Sequence, residues 1–286
     1  MRSSKFKNLV IPFLLAIILM DVSNTYGQSE RKLAKNFVKL SKPANVLLLL
    51  PQYIYKFNRK TQILDNLSYH SQQEKDELLW EHSKFIRFIN DSVLLSHFVK
   101  GYSKELGAFG FKVFLAADTD RFYLDEASSY RIKLEQMELE EQYYPYTDSA
   151  FVDNQVFVFR KRLEALDVSV WLKIGKQNAV RSKLLEHKVL FAENLLTDQV
   201  SGEFIMDDMT GKLQYFYRMD SLTVKKIYSD VEQLGSTYAD YTFDYLMNQY
   251  LNTHLEANKR NNNYWRYDPF HHRLFLAGDD RLLPLK

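Results

Sequence analysis

The chain has 286 residues, with 38 Lys+Arg against 36 Asp+Glu, 46% apolar residues, 15% aromatics, nine Gly and no Cys. The apolar content excludes a disordered chain, and the near-balance of charge excludes a global attraction to nucleic acid. Without Cys there are no disulfides, thiolate metal sites, cysteine nucleophiles or lipoprotein anchor, and the scarcity of Gly argues against a glycine-rich phosphate loop.

Residues 1–27 have the layout of a cleavable secretory signal. Arg2, Lys5 and Lys7 precede the apolar run Leu9–Met20, broken only by Pro12, and a short polar stretch ends at Thr25-Tyr26-Gly27. As a helix that run rises about 18 Å, well short of a hydrocarbon core of about 30 Å. The mature chain is therefore expected to start near Gln28, to be exported into the periplasm or the outer-membrane region, and to carry no membrane-spanning helix. Removing residues 1–27 leaves 35 basic and 35 acidic side chains, so the working protein is formally neutral.

Arg31–Leu40 reads as a short helix, and Asn45–Leu50, between Pro43 and Pro51, as a strand buried on both faces. Ser71 and Glu74 make a capping box for a helix with Leu78, His82, Phe85, Ile86 and Ile89 on one side, where His82 is expected as a hydrogen-bonded core imidazole. Asn90 recaps the chain for a helix carrying Leu94, Leu95, Phe98, Tyr102 and Leu106, with Gly107 as its C′ residue, and Phe111–Ala116 is the next strand. The strand–helices–strand unit is expected to cross over right-handed.

From Tyr130 apolar and polar residues alternate, and the phase slips so that Met137 and Leu139 keep to the apolar side; a β-bulge near Gln136 accounts for the slip. Gln155–Arg160, Asp167–Ile174 and Lys188–Ala192 are further strands, and Gly202–Met206 pairs with Leu213–Tyr217 across Asp207–Gly211. Ser221 starts a helix that Gly235 ends, Ser236 starts another, and Tyr264–Tyr267 with Arg273–Leu276 form a terminal hairpin. The fold class is α/β: a mixed sheet with a crossover helical layer, an antiparallel meander and a C-terminal helix pair. Domain boundaries are expected at 28–178 for an α/β lobe and 179–286 for a lobe of hairpin and helix pair packed on it, unless 28–286 is one domain.

The chain has no G-x-G-x-x-G, Walker A, H-E-x-x-H or G-x-S-x-G motif, and its S-x-x-K matches fall at Ser4–Lys7 and Ser29–Lys32, where no pocket can form around them. Glu135, Glu138, Glu140 and Glu141 offer a pair of acids for hydrolase chemistry, or a solvated face of cross-strand ion pairs with partners such as Arg160, Lys161 and Arg162. Asp207-Asp208 with Thr210-Gly211 lacks the ligand register of a calcium loop and reads as an Asx-stabilised turn. The scattered His residues suggest neither metal nor cofactor. The aromatic groups Tyr143, Tyr144, Tyr146 and Trp265, Tyr267, with His271 and His272, form the candidate binding surface, since Tyr and Trp join an apolar face to a polar tip.

The segments "KPANVLLLLP", "NDSVLLSHFVKGYSKELGAFGFKVF", "SYRIKLEQMELEE", "TGKLQYFYRMDSL" and "FDYLMNQYL" resemble exported proteins of Gram-negative bacteria with no assigned activity. More distantly, Asn45–Pro51 and Gly110–Phe114 resemble the core strands of envelope-assembly α/β modules of the curli-secretion and penicillin-binding-protein-activator type. The resemblance implies a non-catalytic envelope module whose partner is another envelope protein, with no catalytic residue to carry over. A glycan- or peptidoglycan-binding protein using Tyr143, Tyr144, Trp265 and Tyr267 is the first alternative, and a hydrolase using the Glu135–Glu141 acids the second.

Overall fold

The computed structural model describes residues 30–40, 44–125, 129–177, 184–207, 209–256, 263–277 and 283–284. The expected export signal, residues 1–27, lies outside them, as does the expected lobe boundary at 178/179. The architecture is α/β. A seven-stranded mixed sheet runs in the order β11 (Leu283–Pro284), β6 (Leu184–Thr197), β5 (Gln155–Gln177), β4 (Ser129–Val152), β1 (Asn45–Leu49), β3 (Lys112–Leu115), and β2 (Tyr55–Asn58) pairs with β4 beyond the end of β1. The pairs made by β1 and β2 are parallel, and those among β4, β5, β6 and β11 antiparallel. Helices α1 (30–40), α3 (Asp91–Ala108) and α5 (Val224–His254) share one apolar core with the sheet, to which residues from Ala34 to Trp265 contribute. The short α4 (Thr119–Leu124) covers Leu47 and Phe114 on the opposite face through Phe122.

The bulge forms where the alternation slips: Leu134 pairs with Leu172 and Gln136 with Trp171, leaving Glu135 as the extra residue. Because strand side chains alternate with period 2, that one residue keeps Met137 and Leu139 in the core alongside Ile132 and Leu134. It also turns Glu141 inward. The Glu141 carboxylate is fully buried, accepts the Lys60 ammonium at 2.6 Å, and accepts the backbone N–H groups of Lys84 (2.7 Å), Phe85 (2.8 Å) and Ile86 (3.2 Å). Those bonds compete with helix formation, so α2 (Gln72–Glu81) stops short, and Phe85, Ile86 and Ile89 reach the core from turns rather than from a helical face. His82, expected in the core, is instead an exposed helix cap whose Nδ1 lies 2.8 Å from the Leu78 carbonyl.

At the start of α2, Ser71 Oγ accepts the Glu74 N–H at 3.1 Å, while the Glu74 carboxylate reaches back to the His70 N–H. Helix α3 continues through Gly107 and closes in a Schellman motif. Phe111 N–H bonds Leu106 C=O, Gly110 N–H bonds Gly107 C=O, and Gly110 takes the left-handed φ of 93° that the motif needs.

The C-terminal helix pair expected from Gly235-Ser236 is one continuous helix of 31 residues, α5, capped by Thr223 rather than Ser221. Gly235 does not end it, because its lack of a side chain serves a helix crossing. A Cβ on Gly235 would lie 2.2 Å from the Phe98 carbonyl oxygen, and one on Gly101 of α3 would lie 1.8 Å from that of Glu232. The two backbones touch at reciprocal glycines, and Ser236 Oγ donates to the Gly101 carbonyl at 3.3 Å instead of capping a new helix. Further along, Tyr102 and Thr242 share a buried hydroxyl hydrogen bond at 2.8 Å, and Tyr238 donates to the Ala192 carbonyl of β6 at 2.8 Å.

Gly101→Ala and Gly235→Ala should each destabilise the fold by at least about 2 kcal/mol through overpacking. Gly107 has open space where a Cβ would go, so Gly107→Ala should stabilise by roughly 0.5–1 kcal/mol, the usual helix preference. Urea unfolding midpoints at unchanged m-value check both signs.

Candidate protein-binding arm

The strands β4 and β5 pair from Ser129 with Gln177 out to Val152 with Gln155, and a two-residue turn closes them. Asp153 and Asn154 take φ of 49° and 60°, the double left-handed pattern of a type I′ hairpin turn. The neighbouring strands stop long before that tip: β2 pairs β4 only as far as Glu141, and β6 pairs β5 only from Ala165. Residues 142–152 and 155–163 therefore form a two-stranded arm whose outer edges pair with no other strand among the described residues. The segments expected as separate strands Gln155–Arg160 and Asp167–Ile174 are parts of this single β5.

A second hairpin, β7 (Gln199–Met206) with β8 (Leu213–Asp220), has the register read from its sequence, with Met206 facing Leu213 and Gly202 facing Tyr217. Its turn is Asx-stabilised: Asp207 Oδ1 accepts the N–H groups of Met209 (2.9 Å) and Thr210 (3.0 Å), and Gly211 supplies a φ of 63°. This hairpin meets the arm through aromatic side chains. Phe159 and Tyr215 stack with centroids 4.2 Å apart, Tyr217 lies 5.2 Å from Phe159, and the Tyr146 and Tyr215 hydroxyls lie 3.0 Å apart. Tyr215 donates to Asp148 at 2.7 Å and Lys161 to the Tyr217 hydroxyl at 2.8 Å. The hydrogen bonds to Tyr146 and Asp148 push the Tyr215 phenol above its usual range.

This cluster does not close into a core, for its rings remain half-buried or exposed. Along the arm's other face the directly opposed Phe151 and Val156 are 69% and 66% exposed, and Val158 is exposed beside them. On the second hairpin Ile205, Met206, Phe216 and Met219 are exposed, and Met209 at its turn is 97% exposed. Exposed apolar side chains are thus concentrated on this one projection of the molecule.

The arm is rooted in a buried charge cluster. Lys60 bonds both Glu141 and Glu164, and its ammonium lies 4.9 Å from the centre of the Tyr143 ring, with the Arg162 guanidinium 5.1 Å from the same ring. Burial alone would lower the Lys60 pKa, but its two carboxylate partners outweigh it and hold it above its ordinary value. Asp198 accepts the N–H of Glu164 at 3.0 Å and that of Leu222 at 2.7 Å, tying β5 to the chain that enters α5. Of the tyrosines expected on a binding surface, Tyr143 sits in this root, Tyr146 is half-buried against Tyr215, and Tyr144 is exposed.

The aromatic groups do not converge. Trp265, only 6% exposed, belongs to the core, so its assignment to a binding surface is corrected. Asn248 of α5 brackets it, accepting its N–H at 2.9 Å and donating to its carbonyl at 2.7 Å, and its indole N–H reaches Glu30 of α1 at 3.2 Å. The terminal hairpin β9 (Tyr264–Asp268) and β10 (Arg273–Ala277) is thus a clasp on α5. Tyr267 packs on Phe243 and donates its N–H to Asp244 at 3.0 Å, while its hydroxyl lies 3.0 Å from His272 Nδ1. His272 takes a left-handed φ of 51° in the turn, and exposed His271 pairs with Asp268 at 2.6 Å. Under the clasp, burial pushes Asp244 up to about 8 and Asp240 up to about 7. Asp240 adds to the rise of Asp244, and Glu105 and Asp268 to that of Asp240.

Three of the four glutamates lie on the sheet face away from the large helices, held mainly by charge pairs. Glu135 bonds Lys133 and Lys173, which depress its pKa, Glu140 bonds Arg59 at 2.7 Å, and Glu138 accepts from Gln136. Glu141, expected on that same solvated face, is buried by the bulge as described above. Sequence reasoning missed Asp167, which sits directly across from Glu140; burial and the charges of Glu193 and Glu140 raise it to about 6. Its signal was present as two like charges in a register that the bulge makes countable. No group of three or more His, Asp or Glu suited to a metal occurs among the described residues, and no described helix is long and apolar enough to cross a membrane.

No protein-family model matches the chain, and no curated protein matches it in sequence. Among solved structures it is similar to one described as a neuraminyllactose-binding hemagglutinin homolog from Helicobacter pylori, at 9% identity, over 74% of this chain and 94% of that one, with a TM-score of 0.30. A likeness that slight carries no argument about function.

Because the arm's aromatic cluster is separate from the core, Phe159→Ala should speed amide exchange at residues 144–152 and 213–217 while shifting the global unfolding free energy by no more than about 0.5 kcal/mol. Hydrogen-exchange mass spectrometry beside urea melts checks this. For Asp240 and Asp244 the folded pKa lies above the unfolded one, so the folded state binds more protons between them. Their stabilisation is complete below about pH 4 and is lost as pH rises through about 7–8. The unfolding temperature should therefore fall between pH 5 and pH 8, and Asp244→Asn, which keeps an acceptor for Tyr267, should flatten that slope.

Proposed function

We propose that the protein is an exported interaction or assembly module that docks onto another envelope protein by taking one of that partner's strands along the open edge of β5 on the arm. The observation that carries this reading is the arm itself, a hairpin extending past both neighbouring strands with exposed apolar side chains and unpaired backbone. Such an edge is a template for strand addition, in which main-chain hydrogen bonds give affinity and alternate side chains give selectivity. The two edges are not equivalent. β4 carries Pro145, which lacks an N–H and blunts its edge, whereas residues 155–163 of β5 contain no proline and are rich in β-formers. The partner strand would continue the sheet where β6 leaves it at Ala165.

The envelope setting is supported by the export pattern of residues 1–27 and by the resemblance of Asn45–Pro51 and Gly110–Phe114 to envelope-assembly modules. Neutral net charge after removal of that segment fits recognition by shape and strand pairing rather than by long-range attraction.

A photo-crosslinking residue at position 160, exposed on the same face of β5 as Val156 and Val158, should on activation in intact cells give one discrete adduct with an envelope protein. Val156→Lys combined with Val158→Lys should remove it without changing the circular dichroism spectrum. Failure to form an adduct, or one that persists in the double variant, would remove the β5 edge from the argument; an adduct of twice the protein's own mass would identify a second copy as occupant instead. N-terminal sequencing of the exported protein should begin near Gln28, and an N-terminus at Met1 would refute cleavage.

A further inference from the structure

A cleft of about 380 Å³ lies on the side of the molecule where the inner ends of β4 and β5 meet the last three turns of α5. Tyr130 and Lys176 line it from the sheet, and Tyr245, Gln249, Tyr250 and His254 from the helix. The helical residues stand at positions i, i+4, i+5 and i+9, which brings them to one side of α5. Ile174 and Leu246, both buried, form an apolar floor. The volume is at the small end of the range for ligand pockets, about 300–1,000 Å³, and suits one or two saturated rings.

The cleft is preorganised. Tyr250 is held between the Phe37 ring, 5.5 Å away, and the His254 ring, 3.9 Å away and nearly parallel, while His254 Nδ1 lies 2.8 Å from the Tyr250 carbonyl. Tyr130 is braced edge-on by Phe111 at 6.0 Å, and burial pushes its phenol up to about 12, so it stays a neutral donor. The Gln249 amide, the Lys176 ammonium and the Tyr130 hydroxyl have no partner among the described residues. Among the described residues no acidic side chain lines the cleft, whereas the Lys176 ammonium does.

We propose that this cleft binds a sugar acid, a hydroxyl-bearing pyranose carrying a carboxylate. A purely apolar ligand would cover the amide, ammonium and phenol without giving them partners, which costs the full desolvation of each. A small inorganic anion would engage Lys176 but leave the apolar floor and tyrosine faces wet. A pyranose acid satisfies both halves of the lining. Its C–H face lies on the tyrosines and floor, its hydroxyls meet Gln249 and Tyr130, and its carboxylate meets Lys176. This site shares no residue with the arm and does not depend on what the arm binds.

The test is saturation-transfer and chemical-shift NMR on the mature chain with three probes: glucuronate, glucose and cyclohexanecarboxylate. Glucuronate should bind at least about fivefold more tightly than either of the others, each of which lacks one of its two features. Lys176→Gln should abolish its advantage over glucose, and Gln249→Ala should weaken both sugars. Lys176 is exposed and Gln249 half-exposed, so neither change threatens the fold, as matching circular dichroism spectra should show. The proposal is overturned if glucuronate shows no saturable binding, if cyclohexanecarboxylate binds as well as glucuronate, or if binding survives both substitutions unchanged.

Discussion

The contact between α3 and α5 at Gly101 and Gly235 is the constraint on which the rest of the molecule hangs. With no side chain at either position, the two backbones come close enough for a hydroxyl of one helix to bond a carbonyl of the other. That crossing fixes where a 31-residue helix lies over the sheet, and two further structures follow from it. Its middle reaches β6 through Tyr238, and its C-terminal half presents Asp244 and Asn248 to the terminal hairpin and Gln249 and Tyr250 to the cleft above Tyr130. The glycines cost helix propensity, and the gain is approach distance.

A single extra residue governs the sheet in the same way. Glu135 shifts the phase of β4, so one strand serves two environments: Ile132, Leu134, Met137 and Leu139 face the core, and Glu138 and Glu140 face outward. The same shift sends Glu141 inward, where it becomes the acceptor for an ammonium and three backbone amides. Those four donors satisfy the buried carboxylate, and its bonds to the backbone organise the turns at 83–90 that a helical reading misses.

Much of this was legible in the sequence. The bulge was readable because a change of alternation phase is a direct report of which residues face inward, and the β7–β8 register followed from the turn residues between Asp207 and Gly211. The capping residues Ser71 and Asn90 were readable because capping is local. What could not be read depended on partners distant in the chain. Gly235 looks like a helix end until its neighbour Phe98 is known, and Phe85 and Ile86 look helical until Glu141 captures their amides. Trp265 looks like a binding aromatic until Asn248 and Glu30 close around it. The arm was half-hidden for a related reason: Gln155–Arg160 and Asp167–Ile174 read as two separate strands, with the segment 161–166 between them unassigned. That segment is strand because Glu141–Tyr146 pair with it.

The unbroken length of β4 and β5 has a mechanical consequence. Twenty-four residues of strand span about 80 Å, with the arm on one end and the core sheet on the other. Apart from the bulge there is no glycine or loop in β4 to act as a hinge, so the hairpin is a beam rather than a tether. A pull on its tip along the strand direction loads the cross-strand hydrogen bonds together, in shear, and is carried past the Lys60–Glu141 root into the parallel pairs with β1 and β2. Whatever grips the far end of this hairpin therefore grips the whole molecule, and its orientation relative to the helices is transmitted without slack.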